Sequence, residues 1–148
     1  MIRCLSKHYT NLRWALLPAF LLFLAAPAMA ICVDDDRQRP VCVDGATQRV
    51  ISLSPGATEL LFSAGAGAQV KAVSAWSDYP PEAANLPQVG DSNRLDLEAI
   101  VSLQPDLVVA WVDGNSAPQL SKIEALGIPV FWLQPRTFDD IAHAVKRL

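Results

Sequence analysis

Short apolar runs alternate with amphipathic stretches from residue 49 to the end of the chain. Runs of four or five apolar and β-branched residues predict buried strands, whereas apolar residues spaced three and four apart predict helices. The predicted strands are residues 49–53, 70–74, 107–111 and 129–133. The predicted helices are residues 55–62, 97–103, 117–126 and 138–148. Strands and helices therefore alternate along this part of the chain.

Cap and stop residues support the predicted helices. The candidate N-terminal caps are Ser54, Asp96, Ser116 and Thr137. Gln119 and Asp140 follow two of these caps by three residues, which is the spacing of a capping box. Pro55 stands where a proline is favoured at the first helical position. The candidate stop residues are Gly65, Pro105 and Gly127.

The alternation of strands and helices predicts an α/β fold with a parallel sheet flanked by helices on both faces. In such sheets ligands bind outside the carboxyl ends of the strands, so the residues directly after each strand are the candidate site residues. These residues are 54–58, 75–79, 111–115 and 134–136. They include two tryptophans, a tyrosine, several small residues and amides.

Residues 1–30 have the pattern of a signal peptide. Their basic residues are Arg3, Lys7 and Arg13. An uncharged apolar run covers residues 14–26, and Ala28-Met29-Ala30 has the small-x-small form of a signal peptidase site. Because the run is shorter than the roughly 20 residues of a membrane span, we predict cleavage after Ala30 and an exported protein. A retained N-terminal anchor is the alternative.

Cleavage changes the charge and the cysteine count. It removes three of the 12 basic residues and none of the 15 acidic ones, so the formal charge changes from −3 to −6. A general nucleic-acid binder needs a basic face, so this class is disfavoured. Cys32 and Cys42 remain, ten residues apart, and an oxidising compartment favours a local disulfide that ties residues 31–48. Two free thiols are the alternative.

Motifs of the common α/β enzymes are missing from the sequence. Ser-Pro-Gly-Ala-Thr follows the first strand where a dinucleotide site needs Gly-x-Gly-x-x-Gly, and no Gly-Lys-Ser or Gly-Lys-Thr occurs. His143 falls inside the last predicted helix, away from any candidate nucleophile. Asp78 and Asp113 are more typical of loop caps than of an acid–base pair. Three Cys and two His make a zinc cluster improbable, so we expect neither a metal site nor a resident cofactor.

Several phrases, in this order, resemble one known protein class. They are residues 49–61 (RVISLSPGATELL), 76–81 (WSDYPP), 97–111 (LEAIVSLQPDLVVAW) and 114–115 (GN). They are similar to the N-terminal lobe of the periplasmic cobalamin-binding proteins. These belong to the helical-backbone class of ABC-importer binding proteins, which also carries ferric siderophores and haem. The resemblance covers residues 49–148.

The resemblance implies two α/β lobes joined by a long helix, with the ligand bound between them. Residues 49–148 would supply only the N-terminal lobe, truncated before or within the interlobe region, and the C-terminal lobe would be absent. A truncated gene is favoured over a chain that functions as half a protein. The implied function is capture of cobalamin and its delivery to the permease–ATPase complex, through which alone the protein would meet the membrane. A ferric siderophore or haem binder is the alternative, which Arg94 and Arg136 near the rim keep open, and an α/β enzyme is disfavoured.

Residue roles follow from the resemblance by position. Trp76 stands where the family has a cleft tyrosine, Trp111 matches a cleft tryptophan, and Ser92 stands where the cobalamin binder has another tryptophan. Glu98 matches a surface acid that engages arginines of the permease. The remaining predicted ligand-binding residues are Ser54, Pro55, Gly56, Ala57, Tyr79 and Asn115. Cobalamin carries its own cobalt, so no further cofactor is implied.

Overall fold

A computed structural model describes residues 29–148 of the chain. The predicted signal peptide therefore lies outside the described residues, except for its last two positions. Within the described part, no helix combines the length and the apolar character needed to cross a bilayer.

Six strands, four α-helices and two short 3-10 turns follow one another along residues 29–148. The strands are β1 (Ala30–Asp34), β2 (Pro40–Asp44), β3 (Val50–Ser52), β4 (Val70–Val73), β5 (Leu107–Trp111) and β6 (Val130–Leu133). The helices are α1 (Pro55–Ser63), α2 (Leu97–Ser102), α3 (Ala117–Ala125) and α4 (Phe138–Arg147). The 3-10 turns are Gly67–Gln69 and Ala83–Asn85. All eight predicted elements are confirmed, with ends that differ by at most one residue.

Four of the strands form one parallel sheet in the order β4-β3-β5-β6. On one face, Ile100 of α2 and Ile123 of α3 pack into a core cluster. On the other face, Leu61 of α1 and Ala144 of α4 belong to a second cluster. The α/β fold with a parallel sheet flanked by helices is confirmed. Two-sided burial explains why the strands are apolar throughout instead of alternating.

Side-chain caps begin three of the four helices. Ser54 Oγ accepts a hydrogen bond from Ala57 N at 3.1 Å, and Asp96 Oδ1 accepts one from Ala99 N at 2.9 Å. The capping box of Thr137 and Asp140 is present in both directions. These bonds satisfy backbone donors that have no partner within the helix.

The capping box predicted at Ser116 and Gln119 is wrong. Ser116 is the N-cap residue of α3, but its side chain makes no capping hydrogen bond. Gln119 instead accepts a hydrogen bond from Leu95 N at 2.8 Å and donates one to Asn93 O at 2.7 Å. Gln119 therefore bonds to the backbone of a neighbouring loop and not to the N-terminus of α3.

The segment before the sheet forms an antiparallel hairpin from β1 and β2. Cys32 lies opposite Cys42 in this hairpin, and the predicted disulfide between them is confirmed. The turn of the hairpin contacts the edge strand β6, where Asp36 N donates to Trp132 O at 2.9 Å. Gln134 N donates to Asp36 Oδ2 at 2.6 Å. The hairpin is therefore attached to the same sheet edge by backbone and side chain.

Candidate ligand-binding cleft

The sheet topology singles out the carboxyl ends of β3 and β5. These strands are neighbours, but α1 leaves β3 on one face of the sheet while α3 leaves β5 on the other. At such a switch point the two connections diverge and leave a crevice, which is where open α/β sheets bind ligands.

A cavity of about 290 Å³ opens at this point. Its lining residues are Leu53, Ser54, Pro55, Gly56, Ser74, Ala75, Trp76, Ser92, Trp111, Gly114 and Asn115. Seven of the nine predicted ligand-binding residues are among them, drawn from four separate stretches of chain. None of the described lining residues carries a charge.

Trp76 is the most exposed aromatic residue of the cavity. Its side chain is 80% exposed, and its backbone φ is +66°. It is the third residue of a turn that Ser77 N closes by donating to Ser74 O at 3.3 Å, which corresponds to a type II turn. That position favours glycine, and an ordinary residue there costs about 1–2 kcal/mol. The surrounding structure therefore holds the ring outward at a cost in backbone energy.

Trp111 ends β5 and is half-buried beside the start of α1. A Cβ built on Gly56 would lie 3.0 Å from Trp111 Cζ3, so the indole packs directly on the glycine backbone. This contact gives the cavity a flat aromatic wall. The absence of a side chain at position 56 is what allows it.

Asn115 is buried and connects the two strands at the switch point. Its Oδ1 accepts a hydrogen bond from Trp111 N at 2.7 Å, and its Nδ2 donates to Leu53 O at 2.9 Å. Both ends of the amide are thus bound to backbone groups. Asn115 lines the cavity, and its bonds fix the spacing of β3 and β5 there.

Ser92 reaches the cavity from a tight loop after β4. Asp91 Oδ1 accepts hydrogen bonds from Asn93 N and Arg94 N, both at 2.8 Å. The backbone N–H groups of Arg94 and Asn93 hold the pKa of the Asp91 carboxyl below its usual value. Gln119 also bonds to the backbone of this loop at Asn93 and Leu95. The loop that carries Ser92 is therefore held at several points.

Three predicted site residues lie elsewhere. Ala57 is fully buried in the core, where it packs with Leu61. Tyr79 is 64% exposed and does not line the cavity. Glu98 is exposed in the first turn of α2. Ala57 is connected to the cavity only indirectly, because its backbone N–H donates to Ser54 Oγ.

The rim segments predicted from the sequence include Thr58 and Ser77, but the cluster of buried hydroxyl groups to which these residues belong, below Trp76, was not predicted. Ser52, Thr58, Ser74 and Ser77 are each less than 5% exposed and connect through their side-chain oxygens. The sequence feature that could have indicated this cluster is the presence of hydroxyl residues at the ends of two apolar strands. Among residues 29–148, no group of three or more His, Cys, Asp or Glu side chains is placed to hold a metal ion.

The profile of the family described as periplasmic binding protein matches residues 50–148. The chain belongs to the periplasmic binding protein family. This is a family of binding proteins, not of enzymes. The match begins at β3 and covers the whole sheet and the cleft, while the disulfide hairpin precedes it.

Named members of the periplasmic binding protein family are similar to this chain. The vitamin B12-binding protein of Pectobacterium carotovorum subsp. carotovorum (strain PC1) is 48% identical over 101 residues, which are 68% of this chain and 37% of that protein. The crystal structure of the periplasmic vitamin B12 binding protein BtuF of Vibrio cholerae has 42% identity and a TM-score of 0.64, covering 66% of this chain and 38% of that one. A periplasmic heme binding protein from Pseudomonas aeruginosa has 26% identity and a TM-score of 0.56, covering 60% and 32%. The chain thus spans about a third of the length of these relatives.

Proposed function

We propose that this chain is the N-terminal lobe of the periplasmic substrate-binding component of an ABC importer, and that it captures cobalamin or a related corrinoid. One observation carries the proposal. Trp76 and Trp111 both line the switch-point cavity, in a chain that is 42–48% identical to proteins named for vitamin B12 binding. Residues 49–148 form the lobe, residues 1–30 are a cleaved signal peptide, and residues 31–48 are the disulfide-tied segment.

The chemistry of the cleft suits a large and mostly uncharged ligand. Two indole faces bury a wide apolar area at small cost in side-chain entropy. The backbone and hydroxyl groups of Ser54, Gly56 and Ser92 supply hydrogen-bonding partners for peripheral amides, as is usual in small-molecule sites. Because no described lining residue is charged, the cavity offers no ion pair to a strongly anionic chelate. Corrinoids fit this description best.

The lobe changes no covalent bond under this proposal and holds no cofactor of its own. A second lobe closes over the ligand, and the loaded protein then docks on the permease–ATPase complex. Glu98 is the proposed docking acid, since it is exposed on α2 and does not line the cavity. Interfacial pairs of acids and arginines mainly set orientation and association rate. The permease is the protein's route of contact with the membrane.

Haem or a ferric siderophore is the second candidate ligand. Arg94 is exposed on the loop that presents Ser92, and Arg136 follows β6 at the same end of the sheet. Such cations would favour an anionic ligand, and one structural relative is a heme binding protein. Arg136 is already paired with Asp113, with 3.6 Å between Arg136 Nη2 and Asp113 Oδ2, which lowers its capacity to bind an anion.

Absorption spectroscopy distinguishes these ligands. The protein is incubated separately with cyanocobalamin, haemin and a ferric siderophore, freed of unbound ligand, and its spectrum is recorded. We expect retention of the cobalamin bands and quenching of tryptophan fluorescence during the titration. Retention of haemin or the ferric chelate without cobalamin would contradict the proposed ligand.

A further inference from the structure

We propose that Thr58 and Ser77 are positioning residues for Trp76. Their hydroxyl groups hold the turn that carries the ring, and so fix the orientation in which the indole meets a ligand. The part of this inference that concerns ligand affinity rests on the function proposed above. The part that concerns the ring in the free protein does not.

The hydroxyl cluster connects three segments of the chain below the cavity. Thr58 Oγ1 lies 2.8 Å from Ser52 Oγ at the end of β3 and 3.2 Å from Ser77 Oγ in the turn. Ser77 Oγ lies 3.2 Å from Ser74 Oγ, at the start of the same turn. Thr58 Oγ1 is also 3.0 Å from Ser54 O, the residue that caps α1. Thr58 is therefore the point at which helix, strand and turn meet.

The two ends of the turn are anchored in different ways. Its first residue, Ser74, continues the sheet, because Ser74 N donates to Ser52 O at 2.8 Å. Ala75 N donates to Gly90 O at 2.7 Å. At the other end, the Ser77 side chain supplies the link to α1. Loss of that link leaves the second half of the turn attached only to its own first half, through the closing bond and, where the Ser77 hydroxyl remains, through Ser74 Oγ.

Trp76 needs such an anchor because of its backbone conformation. A bulky residue at a φ of +66° is disfavoured relative to the extended and helical regions. Such a residue stays in place only where its surroundings over-determine it. With Ser77 released, the turn can relax toward negative φ at position 76, which swings the ring away from the cavity.

Burial separates this role from direct ligand contact. Thr58 is 0% exposed and Ser77 is 4% exposed, and neither lines the cavity. A ligand in the cleft cannot reach their hydroxyl groups without rearrangement. An effect of these residues on binding must therefore pass through a neighbour, and Trp76 is next to Ser77 in the chain.

Fluorine NMR of the full chain labelled with 5-fluorotryptophan tests the inference. The tryptophan resonances are assigned with single Trp→Phe variants at Trp76, Trp111 and Trp132, the tryptophans of residues 31–148. Thr58→Val and Ser77→Ala remove a hydroxyl, and Thr58→Ser retains it. Ser102→Ala is the matched control, since its hydroxyl bonds only to Ala99 O within α2. Trp132 is buried in the core and reports on general loosening.

We expect the Trp76 resonance to shift and broaden in Thr58→Val and Ser77→Ala, while the Trp132 resonance stays in place. Thr58→Ser should restore the wild-type Trp76 signal, and Ser102→Ala should not change it. Cobalamin affinity should fall about two- to tenfold in the first two variants, the effect of one hydrogen bond. If Thr58→Val does not fold, Ser77→Ala carries the test.

Two results would overturn the inference. One is an unchanged Trp76 resonance in folded Ser77→Ala and Thr58→Val; the other is an equal disturbance of Trp132, which would indicate general loosening. Failure of the wild-type chain to bind cobalamin has a different meaning. It would count against the proposed ligand, whereas the Trp76 resonance in free protein would still decide the positioning role.

Discussion

The indole ring of Trp111 rests on the backbone of Gly56, and a Cβ at position 56 would lie only 3.0 Å from Trp111 Cζ3. The end of β5 and the first turn of α1 are thereby brought together at the cleft. The aromatic wall of the cavity depends on a residue that contributes no side chain. This relationship makes position 56 more sensitive to substitution than its place on a helix surface suggests.

Gly56→Ala is therefore expected to weaken cobalamin binding several-fold by pushing the Trp111 ring out of place. Overall stability should change little, because alanine gains about 0.5–1 kcal/mol over glycine in a helix, and this gain offsets the crowding. Titration calorimetry measures the affinity, and thermal unfolding measures the stability.

Gly114→Ala is the matched control for this change. A Cβ there would lie 3.7 Å from Trp111 Cδ1, which is ordinary van der Waals contact. Because Gly114 also lines the cavity, the affinity of this variant should fall, but less than that of Gly56→Ala. Equal losses in both variants, or none in Gly56→Ala, would contradict the role of the Gly56–Trp111 contact.

Trp76 should contribute to binding and oppose stability at the same time. Trp76→Ala and Trp76→Gly are both expected to weaken cobalamin binding by about 1–3 kcal/mol, the scale of one buried aromatic ring. Glycine tolerates a φ of +66° and alanine does not, so Trp76→Gly should be about 1 kcal/mol more stable than Trp76→Ala. Calorimetry and urea unfolding give the two quantities. Wild-type affinity in both variants would remove Trp76 from the site.

The local pattern of the sequence was sufficient for the elements but not for the site geometry. The bounds of β5 at Leu107 and Trp111 and the cap at Ser54 follow from neighbours in the chain, and both are observed. Gln119 has the spacing of a capping box, yet its partner Leu95 lies 24 residues away. The spacing of a sequence motif does not show that a residue distant in the chain will take the side chain away from the helix cap.

The conformation of Trp76 was not predictable for a related reason. A type II turn is usually signalled by glycine or asparagine at its third position, and tryptophan gives the opposite signal. The turn forms because Ser77 and Thr58 meet across 19 residues of chain. The positions of the strand ends predicted the rim segments, but the hydroxyl contacts beneath Trp76 became evident only in three dimensions.

Glu98 should affect transport without affecting ligand binding. In a two-lobe form of the protein, Glu98→Arg is expected to leave cobalamin affinity unchanged, since Glu98 does not line the cavity. Uptake through the reconstituted importer should fall several-fold, because a reversed charge repels arginines of the permease. Glu59→Arg, at an exposed acid of α1, is the control and should transport normally. Normal uptake by Glu98→Arg would exclude the docking role.

The loop that presents Ser92 should loosen in acid. The pKa of Asp91 is lowered in the folded state by the backbone N–H groups of Arg94 and Asn93, so this stabilisation is complete above the unfolded pKa and is lost as pH falls through the folded one. Amide exchange of Asn93 should therefore accelerate below about pH 4, relative to the rest of the sheet. Asp91→Asn should show fast exchange already at neutral pH. Asp140→Asn, which alters the α4 capping box, should leave the loop unchanged.

The disulfide hairpin should stabilise the edge of the sheet through its turn. Asp36 accepts a hydrogen bond from Gln134 N and forms an ion pair with Arg147, while Arg37 lies 3.4 Å from the centroid of the Trp132 ring. Replacing both cysteines by serine should lower the free energy of unfolding by about 3 kcal/mol, since the disulfide restricts a short loop of the unfolded chain. The folded hairpin should remain attached, because its contacts with β6 do not involve the disulfide.

Asp36→Ala tests the attachment of the hairpin to β6 independently of the disulfide that closes its loop. It leaves the disulfide intact but removes the acceptor of Gln134 N, and should cost about 1–3 kcal/mol. Quenching of Trp132 fluorescence by iodide should increase in Asp36→Ala and not in the double serine variant, because release of the turn moves Arg37 off the indole. Mass spectrometry with and without reductant, which differ by about two mass units for one disulfide, verifies the oxidation state. Increased quenching in the serine variant alone would show that the disulfide, and not Asp36, holds the hairpin on the sheet edge.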